Sequence, residues 1–157
     1  IFALIRVVSG TISHLVFFGV LVVMLIFFQV PFHPARLLVI YYYLSMVVLS
    51  LGLGWLLSAL QPFFRDISQA LIIVLNIWFW ATPIVWPESI VPSAYRWVLD
   101  YNPMYYLVTG YRQSLIYDTV SWPDPWSTAY FWTFTMVICA IGISVFNRLK
   151  SEFADVV

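Results

Sequence analysis

The feature that most constrains this chain is a set of four long stretches without a single formal charge. They cover residues 7–30, 37–60, 68–86 and 126–146. A helix needs about 20 apolar residues to cross a hydrocarbon layer about 30 Å thick, and its backbone polar groups must be satisfied within the helix. The stretches therefore predict an all-α, polytopic transmembrane helical bundle with four spans, in one transmembrane domain that covers residues 1–157.

The composition supports a chain that is solvated by lipid. Hydrophobic residues make up 63% of the sequence and charged residues only 9%, whereas soluble domains carry about 25% charge. The net charge is zero, so the chain lacks the basic surface that nucleic acid requires, and we exclude nucleic acid as a partner. Cys139 is the only cysteine. An intrachain disulfide is therefore impossible, and a zinc cluster lacks its usual ligands.

The distribution of basic residues predicts which ends of the spans face the cytoplasm. Four spans place both chain ends on one side of the membrane. That side holds Arg6, Arg65, Arg148 and Lys150, and the opposite side holds Arg36, Arg96 and Arg112. The excess of basic residues, four against three, assigns the termini to the cytoplasm. The chain begins with Ile1 and shows no signal peptide, and we expect a further N-terminal part to precede it.

The long connection between the third and fourth spans, residues 87–125, is aromatic and apolar but cannot cross the membrane in one helix. Its interruptions are Glu88, Pro92, Arg96, Asp100, Pro103 and Arg112. We predict two short re-entrant outer helices that are broken near Asn102 and Pro103, because non-helical backbone is tolerated at depth when protein or a watery cavity covers it. The alternative is an amphipathic flap on the membrane surface.

A search for catalytic or metal-binding patterns finds none that is convincing. His14 and His33 are separated by 19 positions and lie in no HExxH pattern, so we predict neither a catalytic residue nor a metal site. His14 is interpreted as a polar group that is satisfied between helices. The glycines form no GxxxxGK[ST] motif. If the protein uses ATP, another polypeptide binds the nucleotide. Gly52 and Gly54 favour close helix packing, with a hinge as the alternative.

Two charged positions have both a structural and a functional interpretation. Arg65 and Asp66 lie at the cytoplasmic mouth of the third span, where they either form a snorkelling interfacial pair or contact a partner. Arg112 lies in the outer segment and either pairs with Asp100 or binds an anionic group of a substrate. The residue pattern leaves both alternatives open at each position.

The order of several short motifs resembles the polysaccharide-export permeases of the ABC-2 type. The motifs are Phe-Phe-Arg-Asp-Ile at 63–67, Thr-Pro-Ile-Val-Trp-Pro at 82–87, Asn-Pro-Met at 102–104 and Tyr-Arg at 111–112. The resemblance implies a subunit with six spans, of which this chain supplies the third to the sixth. It also implies that residues 87–125 form two re-entrant helices, with Pro92, Asn102, Pro103 and Arg112 in this outer segment.

The same resemblance implies the function and the partners. It indicates a multi-pass permease subunit of the cytoplasmic membrane, which moves a lipid-linked polysaccharide such as O-antigen or a teichoic-acid-like chain and is not itself an enzyme. The implied partners are a second copy of the permease, membrane lipid and a nucleotide-binding subunit that carries ATP and magnesium. This chain is expected to hold no cofactor.

Aromatic rings can support the apolar faces of sugars without fixing one register, so the aromatic residues near the outer side are candidates for a substrate channel. They are Tyr41, Tyr42, Tyr43, Trp78, Trp80, Trp86, Tyr105, Tyr106, Trp122, Trp126 and Tyr130. The last three share one face if the final helix begins early. The alternative is that these rings face lipid or the protein core.

Three other functions are compatible with the sequence. The first is an ABC-2 exporter of drugs or lipids. The second, from a different class, is a membrane-embedded glycosyl- or acyltransferase that uses His14 or the carboxylates of the outer segment. The third is a purely structural assembly subunit.

Overall fold

The computed structural model describes residues 2–64, 66–117 and 122–149, and every regular element in these residues is a helix. The all-helical prediction is confirmed. The α-helices are α1 (Phe2–Phe27), α2 (Leu38–Leu60), α3 (Ile67–Ala81), α4 (Trp97–Asp100), α5 (Pro103–Leu115) and α6 (Pro125–Leu149). Short 3₁₀ turns lie at Pro34–Leu37, Glu88–Ile90 and Ser93–Tyr95.

Side-chain caps determine where α5 and α6 begin. The Asn102 side chain accepts a hydrogen bond from the backbone N–H of Met104 at 3.0 Å, and proline at the first helical position needs no such partner. At the start of α6, the Asp124 carboxylate accepts from the backbone N–H of Ser127 at 2.8 Å and from its hydroxyl at 3.0 Å. These bonds to Ser127 lower the pKa of the Asp124 carboxyl below its ordinary value.

Helix α3 covers only part of the predicted third span, residues 68–86. The helix ends at Ala81, and Thr82 is extended, with φ −102° and ψ 134°. Pro83 explains this ending, because its ring disfavours helical backbone in the residue before it. The resulting α3 has 15 residues and is about 22 Å long, whereas α1, α2 and α6 are long and apolar enough to cross a membrane.

Two other helix ends also differ from prediction. Helix α1 ends at Phe27, and Gln29 just beyond it has a positive φ of 55°. Helix α6 begins at Pro125, so Trp122 lies outside it. The condition under which Trp122, Trp126 and Tyr130 would share one helical face, an early start of the final helix, is therefore not met for Trp122.

The centre of the fold is the contact between α2 and α6, which run parallel. At one end Trp132 donates from Nε1 to the Tyr41 hydroxyl at 2.8 Å, and further along Gly142 lies against the Gly52 backbone. Because the two helices run in the same direction, the chain between them must return to the end at which α2 starts. Helix α3 begins this return.

Helix α5 packs antiparallel to α2 and reaches deep into the bundle. Near the C-terminus of α5, Arg36 donates from Nη1 to the Leu115 carbonyl. The helix dipole favours a cation at this end of a helix. Nearer its N-terminus, Leu107 packs with Leu49 and Phe131 in the hydrophobic core. Since Leu49 lies halfway along α2, the break between α4 and α5 lies well below the end of the bundle.

Helices α1 and α3 lie at the periphery of this single chain. No residue of the apolar window of α1 is buried, and α3 has no buried residue. The exposed side chains are large and apolar, such as Phe17 at 74% and Ile77 at 64% exposure. Lipid or another subunit must therefore surround both helices.

Substitution of Gly142 tests the crossing of α2 and α6. A Cβ atom there would lie 2.9 Å from the Gly52 carbonyl oxygen and 3.1 Å from the Leu56 backbone nitrogen. Backbone atoms cannot move aside as a flexible side chain can, so we expect Gly142→Ala to lower the free energy of unfolding by about 1–3 kcal/mol. Thermal unfolding of the full-length protein in detergent measures the effect.

Gly19→Ala is the matched control, because a Cβ at Gly19 would meet nothing within 4 Å. Alanine favours helix over glycine by about 1 kcal/mol, so this variant should be as stable as the wild type or slightly more stable. Equal unfolding temperatures for Gly142→Ala and Gly19→Ala would contradict the packing of α6 on α2.

Candidate functional site

Two of the predicted channel tyrosines, Tyr41 and Tyr106, lie in a hydrogen-bonded cluster inside the bundle, and the Tyr42 ring packs beside them. The Tyr41 and Tyr106 hydroxyls are 2.9 Å apart, the Tyr106 hydroxyl lies 3.1 Å from Thr128 Oγ1, and Trp132 donates to Tyr41. Tyr42 is only 2% exposed. These bonds join α2, α5 and α6 through side chains that would otherwise be unsatisfied polar groups in an apolar core.

Ring packing in the same cluster leaves little room for a ligand. The Tyr106 ring stacks on Phe131 with 4.8 Å between centroids and an interplanar angle of 23°, and it also contacts the Tyr42 ring at 5.4 Å. Tyr42 and Tyr106 therefore pack in the protein core, which is the alternative to a surface on which sugar rings stack.

Other predicted aromatic residues are accessible. Trp80, Trp122 and Trp126 are 65%, 78% and 76% exposed. Tyr130 donates to the Tyr101 carbonyl at 2.8 Å, and its ring meets the Tyr101 ring edge-on at 5.4 Å. Trp126 and Tyr130 on α6, with Tyr101 just after α4, thus form an accessible aromatic surface beside α4 and α6.

Asn102 connects the break between α4 and α5 to the end of α3. Its side-chain oxygen accepts from Trp78 Nε1 at 2.8 Å, and its nitrogen donates to Thr82 Oγ1 at 2.9 Å. The Thr82 hydroxyl in turn donates to the Trp78 carbonyl at 2.8 Å. Thr82, Pro83 and Pro103 are all buried, so a compact polar joint holds the non-helical backbone within the protein.

An open cavity of about 430 Å³ lies beside this joint. Its walls are Ile84, Val85, Trp86, Pro87, Glu88, Ser89, Arg112 and Tyr117. Arg112 donates from Nη2 to the Ile84 carbonyl at 2.8 Å rather than to Asp100. Glu88 accepts a hydrogen bond from the Tyr105 hydroxyl. The Trp86 indole donates to the Trp80 carbonyl at 3.1 Å.

A second, open groove of about 600 Å³ runs between α1 and α2. In its wall the Tyr43 hydroxyl donates to Thr11 at 2.7 Å, and the Tyr43 ring stacks on His14 with 5.0 Å between centroids. His14 Nε2 also lies 3.1 Å from the Tyr111 hydroxyl. His14 is therefore a polar group with partners between helices.

The structure gives few contacts for the other predicted site residues. Arg65 lies outside the described residues. Asp66 is exposed at the start of α3, and Pro92 is exposed in the turn before α4. Within the part of the chain that the structure describes, no three His, Cys, Asp or Glu side chains could hold a metal ion.

Sequence reasoning missed the roles of Glu88, Tyr101 and Tyr117. Glu88 bonds to a tyrosine 17 positions away, and Tyr101 contacts a ring 29 positions away. Residues that lie so far apart in the sequence, with turns between them, cannot be paired from helical or strand periodicity. The presence of Pro87 and Pro92 on either side of Glu88 was the only local sign that the carboxylate occupies a fixed turn.

The fold and these surfaces define a polytopic helical membrane protein whose outer segment inserts an aromatic-rich helix between its long helices. The chain belongs to the ABC-2 type transporter family, whose model matches residues 1–116. The resemblance seen in the short motifs is confirmed at the level of the family. Members of this family are membrane subunits of transporters.

Curated relatives include two export permeases. The O-antigen export system permease protein RfbA of Klebsiella pneumoniae is 26% identical over 113 residues, which cover 72% of this chain and 42% of that protein. The protein of the same name from Myxococcus xanthus is 31% identical over 114 residues, which cover 71% of this chain and 43% of the relative. The chain thus spans less than half the length of these relatives. No solved structure matches the chain significantly.

Proposed function

We propose that this chain is part of the permease subunit of an ATP-driven ABC exporter that moves a lipid-linked polysaccharide across the cytoplasmic membrane. The observation that carries the proposal is its similarity to O-antigen export permeases over 72% and 71% of its length. The cargo is of the O-antigen or teichoic-acid type. The proposed location is the cytoplasmic membrane, and the excess of basic residues on the side of the chain termini, four against three, places those ends in the cytoplasm.

The accessible aromatic surface on α4 and α6 supports this cargo. Trp126, Tyr130 and Tyr101 present rings with polar edges, and such rings combine apolar contact with hydrogen bonding. A polymer that must slide needs many weak contacts rather than one tight site. The surface therefore suits a glycan better than a compact drug.

The energy source in this proposal is a separate subunit. ABC-2 permeases pair with an ATP-binding subunit, and ATP with magnesium would bind there. The exposed turn around Asp66 is the contact expected for this partner. A second copy of the permease is expected against the exposed apolar sides of α1 or α3, because neither helix is covered by this chain.

Reconstitution tests the transport function. The full-length permease and its nucleotide-binding subunit are placed in proteoliposomes with a lipid-linked glycan, and a glycosidase added outside detects glycan that has crossed. We expect crossing with Mg-ATP and none with a non-hydrolysable analogue. ATP-driven movement of a small amphiphile without movement of the glycan would instead support a drug or lipid exporter.

A substitution at Trp126 tests the aromatic surface in the same assay. Trp126→Ala should slow glycan movement about two- to tenfold, which corresponds to the loss of one aromatic contact. Phe32→Ala is the control, because Phe32 is 73% exposed in the connection after α1, outside α4 and α6, and it should leave the rate unchanged. Tyr106 is unsuitable for this test, since it packs in the core. Equal rates for both variants would refute a role of Trp126.

A further inference from the structure

The geometry points to the cavity of about 430 Å³ beside Arg112 as a binding subsite for one neutral pyranose unit, which we name the outer cavity. This inference rests on the proposed function, because the exported glycan would supply the sugar. It goes further by assigning a defined site and a ligand class to residues outside the aromatic surface of α4 and α6.

The wall of the outer cavity is a fixed turn. The two prolines Pro83 and Pro87 prevent helix formation on either side of it, and Ile84 donates to the Thr82 carbonyl at 2.7 Å. Arg112 then binds the Ile84 carbonyl from α5. The turn is therefore held by its own backbone and by a helix of the core, so the site exists before any ligand arrives.

The polar groups of the outer cavity leave capacity for a ligand. The Arg112 guanidinium has five N–H donors, and the structure shows one of them bound to protein, at the Ile84 carbonyl. Glu88 uses Oε2 to accept from Tyr105. Although Arg112 and Glu88 line the same cavity, they form no ion pair with each other in the described residues.

The combination of charges selects a neutral polyol. A phosphate or a carboxylate would be attracted to Arg112 but repelled by the Glu88 carboxylate in the same wall. Vicinal hydroxyl groups can donate to the carboxylate and accept from the guanidinium at once, and such bonds to charged groups are the stronger ones. A sugar with free hydroxyls therefore matches both groups, whereas a simple ion matches only one.

The aromatic side chains of the outer cavity also suit a pyranose ring. The ring of Trp86 is held by its bond to the Trp80 carbonyl, and Tyr117 is 50% exposed. Rings of this kind cover the C–H faces of a pyranose, and the cavity volume lies within the range of about 300–1,000 Å³ that is common for small-molecule sites.

Binding of simple glycosides to the full-length permease tests the outer cavity without any need for transport. Methyl glycosides of glucose, mannose and galactose, glucuronic acid and inorganic phosphate are titrated by calorimetry into the detergent-solubilised protein. We expect at least one neutral glycoside to bind, and Glu88→Gln and Tyr117→Ala to weaken that binding about tenfold or more. The acid and phosphate should bind more weakly than the neutral glycoside.

Two exposed residues of the same outer segment supply matched controls. Asp100→Asn removes a carboxylate and Tyr95→Ala removes a tyrosine ring, and neither residue lines the outer cavity. Both variants should bind the glycoside within twofold of the wild type. Gel filtration and thermal unfolding establish that all four variants are folded.

Failure of this inference is separable from failure of the proposed function. Absence of neutral glycoside binding, equal binding by all four variants, or preferential binding of phosphate would overturn the sugar subsite. If ATP-driven glycan movement persists in any of these cases, the proposed function stands. If glycan movement is absent while the glycoside binds through Glu88 and Tyr117, the exporter assignment fails and the site remains.

Discussion

Replacing Gly110 by alanine should detach α5 from α2 and destabilise the bundle by about 2 kcal/mol. A Cβ atom at Gly110 would lie closer than 3.0 Å to Cε1, Cζ and Cδ1 of the Tyr42 ring. Tyr42 is 2% exposed, so its ring has no free space into which it can turn. Overpacking costs about 1–3 kcal/mol, more than the helix propensity of about 1 kcal/mol that alanine contributes. Thermal unfolding of the full-length protein gives the magnitude.

A second substitution identifies the cause of the loss. Tyr42→Ala removes the ring, so the double variant with Gly110→Ala should lose less stability than the two single variants together. Gly10→Ala is the control for alanine in a helix, because nothing lies within 4 Å of a Cβ at Gly10, and it should not destabilise the protein. Additive losses in the double variant would show that Gly110 and Tyr42 do not touch.

Replacing Asn102 by alanine should cost about 2–4 kcal/mol and loosen the end of α3. The change removes the cap of α5, worth about 1 kcal/mol. It also removes the acceptor of the Trp78 indole and the donor to the Thr82 hydroxyl, and each hydrogen bond between helices in a membrane contributes about 0.6–1.7 kcal/mol. Calorimetric unfolding and the tryptophan fluorescence of the full-length permease report the two effects.

Graded variants separate the hydrogen bonds of Asn102. Asn102→Asp keeps an acceptor for Trp78 and Met104 but loses the donor to Thr82, so its loss of stability should be smaller than that of Asn102→Ala. Asn76→Ala removes an exposed amide from α3 and should change stability by less than about 0.5 kcal/mol. If Asn102→Ala behaves like Asn76→Ala, the joint between α3 and α5 does not contribute to stability.

Much of the helical architecture could be predicted because it depends on two strong local signals. Residues 7–30, 37–60 and 126–146 lack formal charge over enough length to cross a bilayer, and the helices found there extend over nearly the same residues. Asn102 followed by Pro103 is a helix start signal with a direct physical cause, and the structure begins α5 at that point. Pro83, near the end of the predicted third span, ends α3 at Ala81, earlier than the hydropathy of residues 68–86 suggests.

The candidate site could be predicted only in part, because a linear sequence does not show what a ring faces. Tyr41, Tyr42 and Tyr43 are consecutive, yet Tyr41 bonds to α5 and α6, Tyr42 packs against Gly110, and Tyr43 faces α1. Helical geometry turns each of the three by about 100° from the last. The outer cavity was equally hidden, because it joins Glu88 and Arg112 across a chain reversal.

The tyrosine cluster that joins α2, α5 and α6 has a mechanical consequence. Tyr41, Tyr106, Thr128 and Trp132 form a continuous hydrogen-bonded chain across these helices. We therefore expect α2, α5 and α6 to move together as one rigid body. By contrast, the described contacts hold the end of α3 to that body through the Asn102 joint and the bond from Arg112. Displacement of α3 would break a few polar contacts, whereas displacement of α5 would open a packed core, so α3 can tilt at a lower free-energy cost than α5.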